Sequence, residues 1–289
     1  MGHPPWYDDR VTEYAAELLL NTDTVSLRDV TCAGGCKHKG PEECATAHYL
    51  VFPYRGVFMR HLGRDEAVAE ANQLLFYNPH EGYSIGHPVE GGDHCLSLSV
   101  AEPWLREIAP GDLLHQSGDL AFRLQRLRID PRAQALVAML RHSLRTGSAE
   151  TLEAETLALT LVRRALGGRP ASELRASEGA RKIVDRAKLV LASDLARRWT
   201  LAEVAAEVGV SPVYLTQLFQ RVEGVPLYRY QMRLRMARAL DLLGCYDDLT
   251  ELGLELGFSS HSHFGATFRA TYGCSPSDFR RTAARPPNR

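Results

Sequence analysis

Three cysteines, Cys32, Cys36 and Cys44, fall within thirteen positions in the stretch TCAGGCKHKGPEEC, and Cys95 is a fourth in the first hundred residues. Gly34-Gly35 permit the bend that would let the three thiols converge on one ion. Cys95 is then the natural fourth donor of the tetrahedral shell that Zn²⁺ takes, with Zn–S about 2.3 Å. His38, His48, His87 and His94 are alternate donors. Lys37 and Lys39 beside the thiols favour thiolates. The spacing lacks a C-x2-C pair, so zinc, a reversible thiol redox switch and unreactive cysteines all stay open. Cys245 and Cys274 carry no assigned chemistry.

No nucleophile elbow, phosphate-binding loop or paired-carboxylate constellation accompanies these thiols between residues 25 and 100. No catalytic residue is therefore assigned, and the expectation is a protein that is not an enzyme. The chain has 289 residues, 45% hydrophobic and 24% charged, which is ordinary globular usage and about the length of two domains. No apolar stretch reaches the roughly 18 residues of a membrane span. The first ten residues, MGHPPWYDDR, do not read as an export leader, so the expected setting is cytoplasmic, with no membrane partner. Clustered cysteines in such a reducing compartment favour metal or redox chemistry over disulfides.

The net charge of −1 conceals two unlike halves. Residues 1–176 carry 18 Lys+Arg against 23 Asp+Glu, and residues 177–289 carry 16 against 12. An acidic half joined to a mildly basic half suggests a sensing or assembly domain followed by one that meets a polyanion.

The texture of the chain divides in the same way. VTEYAAELLL at 11–20 reads as a short helix. From Val25 to Val100, runs such as TVSLRDV, HYLVFP, GVFMRHL, QLLFYNP and LSLSV alternate with Gly, Pro and Asn, which predicts a small β-barrel or sandwich. From Pro103 to Leu166 the pattern is helical. Ala133–Arg145 and Ala149–Leu166, joined by Thr146-Gly147-Ser148, form an αα-hairpin that covers the sheet or makes a dimer interface. GGRPASELRASEG breaks the pattern. The expected organisation is a sensing and dimerisation domain over 1–170, a linker over 171–179 and a helical domain over 180–289, an α+β protein.

A repeat organises the second half. LAEVAAEVGV at 201–210 and LTELGLELGF at 249–258 superimpose at an offset of 48, with Glu203/Glu251, Glu207/Glu255 and Gly209/Gly257 in register. After one inserted residue the register continues through Leu215/Phe264, Phe219/Phe268 and Gly224/Gly273. Each copy reads as helix, tight turn, helix. Thr200 and Glu203 have capping-box spacing, Gly209 ends the first helix, and Ser211 caps a second with Pro212 at its first position. In the second copy Asp248 and Glu251 open a helix, Gly257 stops it, and Ser260 caps the next. Two short helices around a Gly turn make a helix-turn-helix, whose second helix enters the DNA major groove.

The spacing from Ser211-Pro212 through Leu215, Phe219, Gly224, Tyr230, Arg235 and Ala239 to Gly257-Phe258, Ser262, Phe264, Phe268, Gly273 and Ser275-Pro276 strongly resembles the DNA-binding domain of AraC/XylS transcription regulators. The resemblance spans roughly 180–281. It implies two helix-turn-helix motifs, about 200–224 and 248–273, bridged by a linker helix at 227–243 and entering successive major grooves of double-stranded DNA. With Leu215, Leu218 and Phe219 buried, the opposite face of the first recognition helix offers Val213, Tyr214, Thr216, Gln217 and Gln220. The second offers His261, Ser262, Gly265 and Ala266, with His263 at its edge. Arg221, Arg229, Arg235 and Arg269 are candidates for phosphate contacts. Gln217 and Ala266 stand where the family often has Arg, so the first motif is expected to carry most direct readout.

The β-rich half resembles, more loosely, the cupin-like sensing and dimerisation domain common in that family, without a cupin's His-rich metal signature. The resulting expectation is a homodimeric regulator that senses a metal (Zn²⁺), a thiol-reactive species or a small molecule, with RNA polymerase as a further partner. Two rivals remain. One is a zinc-thiolate methyl-acceptor repair regulator, which the lack of a downstream C-x2-C disfavours; the other is a constitutive DNA-binding dimer without a ligand.

Overall fold

The computed structural model describes residues 14–115, 120–167 and 176–283; most of the linker expected at 171–179 lies outside them. The first half contains β1 (Tyr14–Asn21), β2 (Val25–Cys32), β3 (Glu42–Cys44), β4 (Tyr49–Gly56), β5 (Phe58–Leu62), β6 (Asp65–Ala69), β7 (Gln73–Tyr77), β8 (Gly82–Gly86) and β9 (Asp93–Val100). There follow α1 (Glu102–Ile108), β10 (Arg126–Arg128), α2 (Pro131–Arg145) and α3 (Thr151–Gly167).

The strands form two antiparallel sheets, in the orders β1-β2-β9-β4-β7-β10 and β3-β8-β5-β6. A closed barrel was one expectation, but among the described residues each sheet keeps two edge strands, so the barrel does not close. The segment 11–20 is also corrected. Residues 14–21 are an edge strand paired along β2, from Tyr14 opposite Cys32 to Asn21 opposite Ser26. Its Ala-Glu-Leu composition is helix-compatible, and pairing with the sheet overrides that local preference.

Strand alternation explains how the six-stranded sheet becomes a middle layer. Leu50, Phe52, Leu74, Phe76, Leu96 and Leu98 point to one face and join the core formed with α2 and α3. The alternate positions Val51, Leu75, Tyr77 and Cys95 point the other way, against Phe58, Ala69 and Ile85 of the smaller sheet. A strand with both faces covered reads as a continuous apolar run, which is the texture of QLLFY. The αα-hairpin therefore covers the sheet: Val137 and Leu140 of α2 and Ala158 and Leu161 of α3 are buried on it.

The second half contains α4 (Glu178–Ser193), α5 (Leu201–Val208), α6 (Pro212–Glu223), α7 (Leu227–Leu242), α8 (Leu249–Glu255), α9 (His261–Tyr272) and α10 (Pro276–Ala283). Its two cores are separate. One gathers Val184, Leu191, Val204, Leu215, Phe219 and Tyr230; the other gathers Met236, Leu252, Phe258, Phe264, Phe268 and Phe279. The long helix α7 supplies both, with Tyr230 and Leu234 to the first and Met236, Ala239 and Leu240 to the second. Among the described residues no helix is long and apolar enough to cross a membrane.

The two halves are docked. Ala135, Ala138 and Met139 of α2 turn away from the sheet and pack on the second core of the helical half. One helix thus serves both halves of the molecule.

Candidate functional site

The first recognition helix is placed by its caps. The Thr200 hydroxyl accepts from the Glu203 N–H at 3.2 Å while the Glu203 carboxylate accepts from the Thr200 N–H at 2.7 Å, closing a capping box at the start of α5. These bonds to Thr200, with a further one from Arg197, pull the Glu203 carboxyl down to about 2. Gly209 takes φ 74°, a left-handed conformation that ends α5 at little cost. Ser211 then accepts from the Tyr214 N–H at 3.2 Å, with Pro212 at the first helical position.

Leu215, Leu218 and Phe219 are buried, and Phe219 meets Tyr230 edge-on with ring centroids 5.2 Å apart. Helical periodicity then leaves Val213, Tyr214, Thr216, Gln217, Gln220 and Arg221 exposed on the opposite face, with Val213 68% exposed. The Thr216 hydroxyl is already committed to the Pro212 carbonyl at 3.0 Å. Gln217 and Gln220 project amides from the same face, the side-chain type that pairs with adenine N6/N7.

The second motif has weaker capping. Asp248 accepts from the Thr250 N–H at 2.7 Å, and Ser260 accepts from the His263 N–H at 3.2 Å. Phe264 and Phe268 are fully buried. A Cβ on Gly253 would sit 3.1 Å from Phe264 Cβ, so the glycine inside α8 admits close approach of α9. His261, Ser262, His263 and Arg269 are exposed, and His263 Nδ1 lies 3.3 Å from the Ser259 hydroxyl. Gly265 and Ala266 leave the middle of this face without a polar side chain.

Arg235 departs from the expected phosphate contact. It is 4% exposed, and its guanidinium donates to the carbonyls of Leu195 (2.6 Å), Ala196 (3.2 Å), Arg197 (3.0 Å) and Gly257 (3.3 Å). A guanidinium with no face to solvent cannot reach a phosphate, so Arg235 is a structural tie. It joins the loop before α5 to the turn of the second motif, where a Cβ on Gly257 would lie 2.2 Å from the Ala196 carbonyl. Nothing in the spacing of Arg235 separates a solvent-facing cation from a buried one.

The cysteines do not assemble as the spacing suggested. Among the described residues, the donor atoms gathered within 4.8 Å of one another are those of Cys32, His87 and Asp93. Cys44 is exposed, its thiol directed to the Ala45 carbonyl at 3.8 Å. Cys36 contributes a backbone carbonyl, which accepts from the His87 N–H at 2.6 Å. Cys95 stays close, its thiol donating to Asp93 Oδ2 at 3.2 Å. Register explains the regrouping. Cys32 lies directly opposite Asp93, and Asp93 and Cys95, two apart on β9, share a face. Burial and then Asp93 push the Cys95 thiol well above its usual range. Burial opposes a charge on His87, but Asp93 at 2.6 Å and Cys32 hold the imidazole protonated up to about 10.

A polar joint between the halves is the feature that the sequence concealed. Asp241 of α7 accepts from Arg55 of β4 at 2.7 Å, from Arg141 of α2 at 2.8 Å and from Arg238 at 2.5 Å. Burial works against its charge, but Arg55 and Arg141 hold its carboxyl below the ordinary value. Toward the other end of α7, Lys188 pairs with Glu223 at 2.6 Å and Asp185 at 3.3 Å, Arg126 reaches Asp185 at 3.0 Å, and the Tyr230 hydroxyl donates to Glu70. Glu70 directly follows β6, Arg126 opens β10 and Asp241 lies on α7, far apart in sequence, and pairwise spacing carries no trace of these contacts.

A family model described as a helix-turn-helix domain matches residues 204–282. The regulatory protein PocR of Salmonella typhimurium is 37% identical over 82 residues, 28% of this chain and 27% of PocR. The HTH-type transcriptional regulator GadX of Escherichia coli is 32% identical over 96 residues, 33% of this chain and 35% of GadX. The chain thus spans about a third or less of the length of these curated relatives. Among solved structures, an AraC-type DNA-binding regulator from Chromobacterium violaceum is 29% identical, covering 38% of this chain and 99% of that one, with a TM-score of 0.36. The helical second half of this chain is an AraC-type helix-turn-helix domain.

Proposed function

We propose that the chain is a sequence-specific DNA-binding transcription regulator in which α6 reads bases, α9 contributes mainly through phosphates and groove shape, and the β-rich half senses a signal. The observation that carries this reading is the outer face of α6, where Gln217 and Gln220 stand exposed opposite a fully buried Leu215 and Phe219. A face of this kind, on the second helix of a helix-turn-helix, is what a major groove accepts. On α9 the small Gly265 and Ala266 remove side chains that could bond to base edges, which leaves Arg269 for backbone contact.

In this reading, ion pairs couple the sensing half to the reader. Asp241 lies on the helix that spaces the two motifs, and Arg55 and Arg141 grip it from the sheet and from α2. A signal that shifts these two groups alters how the motifs are held, which is a coupling free energy between two sites rather than catalysis. Cytoplasmic residence and assembly as a homodimer complete the proposal.

Selection from a pool of randomised duplexes, using the full chain, tests it. Enrichment of a defined motif supports the reading, and recovery of random sequence at every salt concentration excludes it.

A further inference from the structure

The regrouped cluster on β2 and β9 is a built site. His87 is 3% exposed and its Nδ1 has no hydrogen-bond partner, while Nε2 lies 2.6 Å from Asp93 Oδ1. A buried ring nitrogen left outside hydrogen-bond geometry is rare unless something binds it. The Cys32 thiol and the Asp93 carboxylate lie within 4.8 Å of a ring nitrogen of His87, and the Cys95 thiol joins the group through Asp93 Oδ2 at 3.2 Å. The loop carrying His87 can lie this close because of Gly92: it takes φ 63°, and a Cβ there would fall 2.0 Å from the Cys32 carbonyl.

We propose that Cys32, His87 and Asp93, with Cys95 turning from Asp93 to close the shell, bind one thiophilic divalent cation of the zinc class, releasing the two thiol protons and the imidazolium proton to solvent, and that its occupancy is transmitted to the linker helix through Arg55. Two thiols, an imidazole and a carboxylate are the donor set that selects such an ion over magnesium or calcium. A tetrahedral zinc sets its ligand atoms about 3–4 Å apart. The three donors, already within 4.8 Å, need contract little.

The route to the reader is short. Asp93 pairs with Cys32 on one side and with Gly56 on the other, and the next residue of each strand pairs His94 with Arg55. Arg55 is one of the three arginines that hold Asp241 of α7, and the one that comes from this sheet. Contraction of the ligands therefore pulls on the end of β4 that carries the grip on the linker helix. This second part rests on the DNA-reading proposal; the binding of the metal does not.

The test uses the reduced full chain dialysed against Zn²⁺, with metal measured by elemental analysis and thiol protection mapped by alkylation and peptide mass. About one zinc per chain is expected, with the half-buried Cys32 more protected from alkylation than in the zinc-free chain and the exposed Cys44 equally reactive in both. Cys44→Ser should retain the metal, and Cys32→Ser and His87→Ala should lose it. A metal-free wild type, or full retention in both of the latter variants, overturns the site; the protection map reads it in the wild type without reliance on any variant folding. Adding Zn²⁺ should change the affinity for the selected duplex by about fivefold or more, and this shift should vanish in Arg55→Ala. Zinc bound with unchanged affinity overturns the transmission while leaving the site. A chain that binds zinc and no duplex overturns the DNA reading instead.

Discussion

Asp241 accepts a hydrogen bond from Arg55 at 2.7 Å across 186 positions of sequence, tying the helix between the two helix-turn-helix motifs to the sheet of the other half. Arg141 completes the grip from α2, its guanidinium stacked 3.6 Å from the centre of the Tyr54 ring.

Asp241→Asn should uncouple the halves. Removing one partner of a buried ion pair costs about 3–5 kcal/mol because the remaining charges stay desolvated. Calorimetry should turn a single unfolding transition into two, and a single unshifted transition would show that the joint carries no coupling. The pH dependence has a definite sign. The folded carboxyl lies below the ordinary 3.8, so its contribution is complete above that value and is lost progressively as the pH falls from there through the lower folded value. The stability difference between wild type and Asp241→Asn should be flat from neutrality to about pH 4 and shrink below it.

Arg235→Ala should destabilise the helical domain by about 1.5–3 kcal/mol, since up to four carbonyls lose a charged donor. Chemical denaturation measures this. Unaltered stability, with weaker DNA binding and a flatter salt dependence, would instead return Arg235 to the phosphate contacts.

Arg269→Ala, on the exposed face of α9, should weaken binding to every duplex alike and reduce the slope of log affinity against log salt by about one. Loss confined to one sequence would mean that Arg269 reads a base.

The second half was legible because its signals are local. Thr200, Gly209, Ser211 and Gly224 are caps and stops whose meaning lies within four residues, and all four act as their types predict. Leu215, Phe219, Phe264 and Phe268 follow from helical period alone. What escaped depends on contacts distant in sequence. Cys32 meets Asp93 through strand register, Arg235 is buried by two loops from different motifs, and residues 14–21 become a strand because β2 offers an edge. Asp241 and Arg55 look like ordinary surface charges until the halves dock.

The reading face of α6 is tested most directly by comparing the motifs that the wild-type chain and Gln217→Ala select from one randomised duplex pool. Base reading by α6 requires the variant to lose preference at about one base pair, worth ~1–3 kcal/mol of discrimination, within one of two boxes roughly one helical turn apart, while the other box stays unchanged. The same motif at the same strength from both proteins would contradict it.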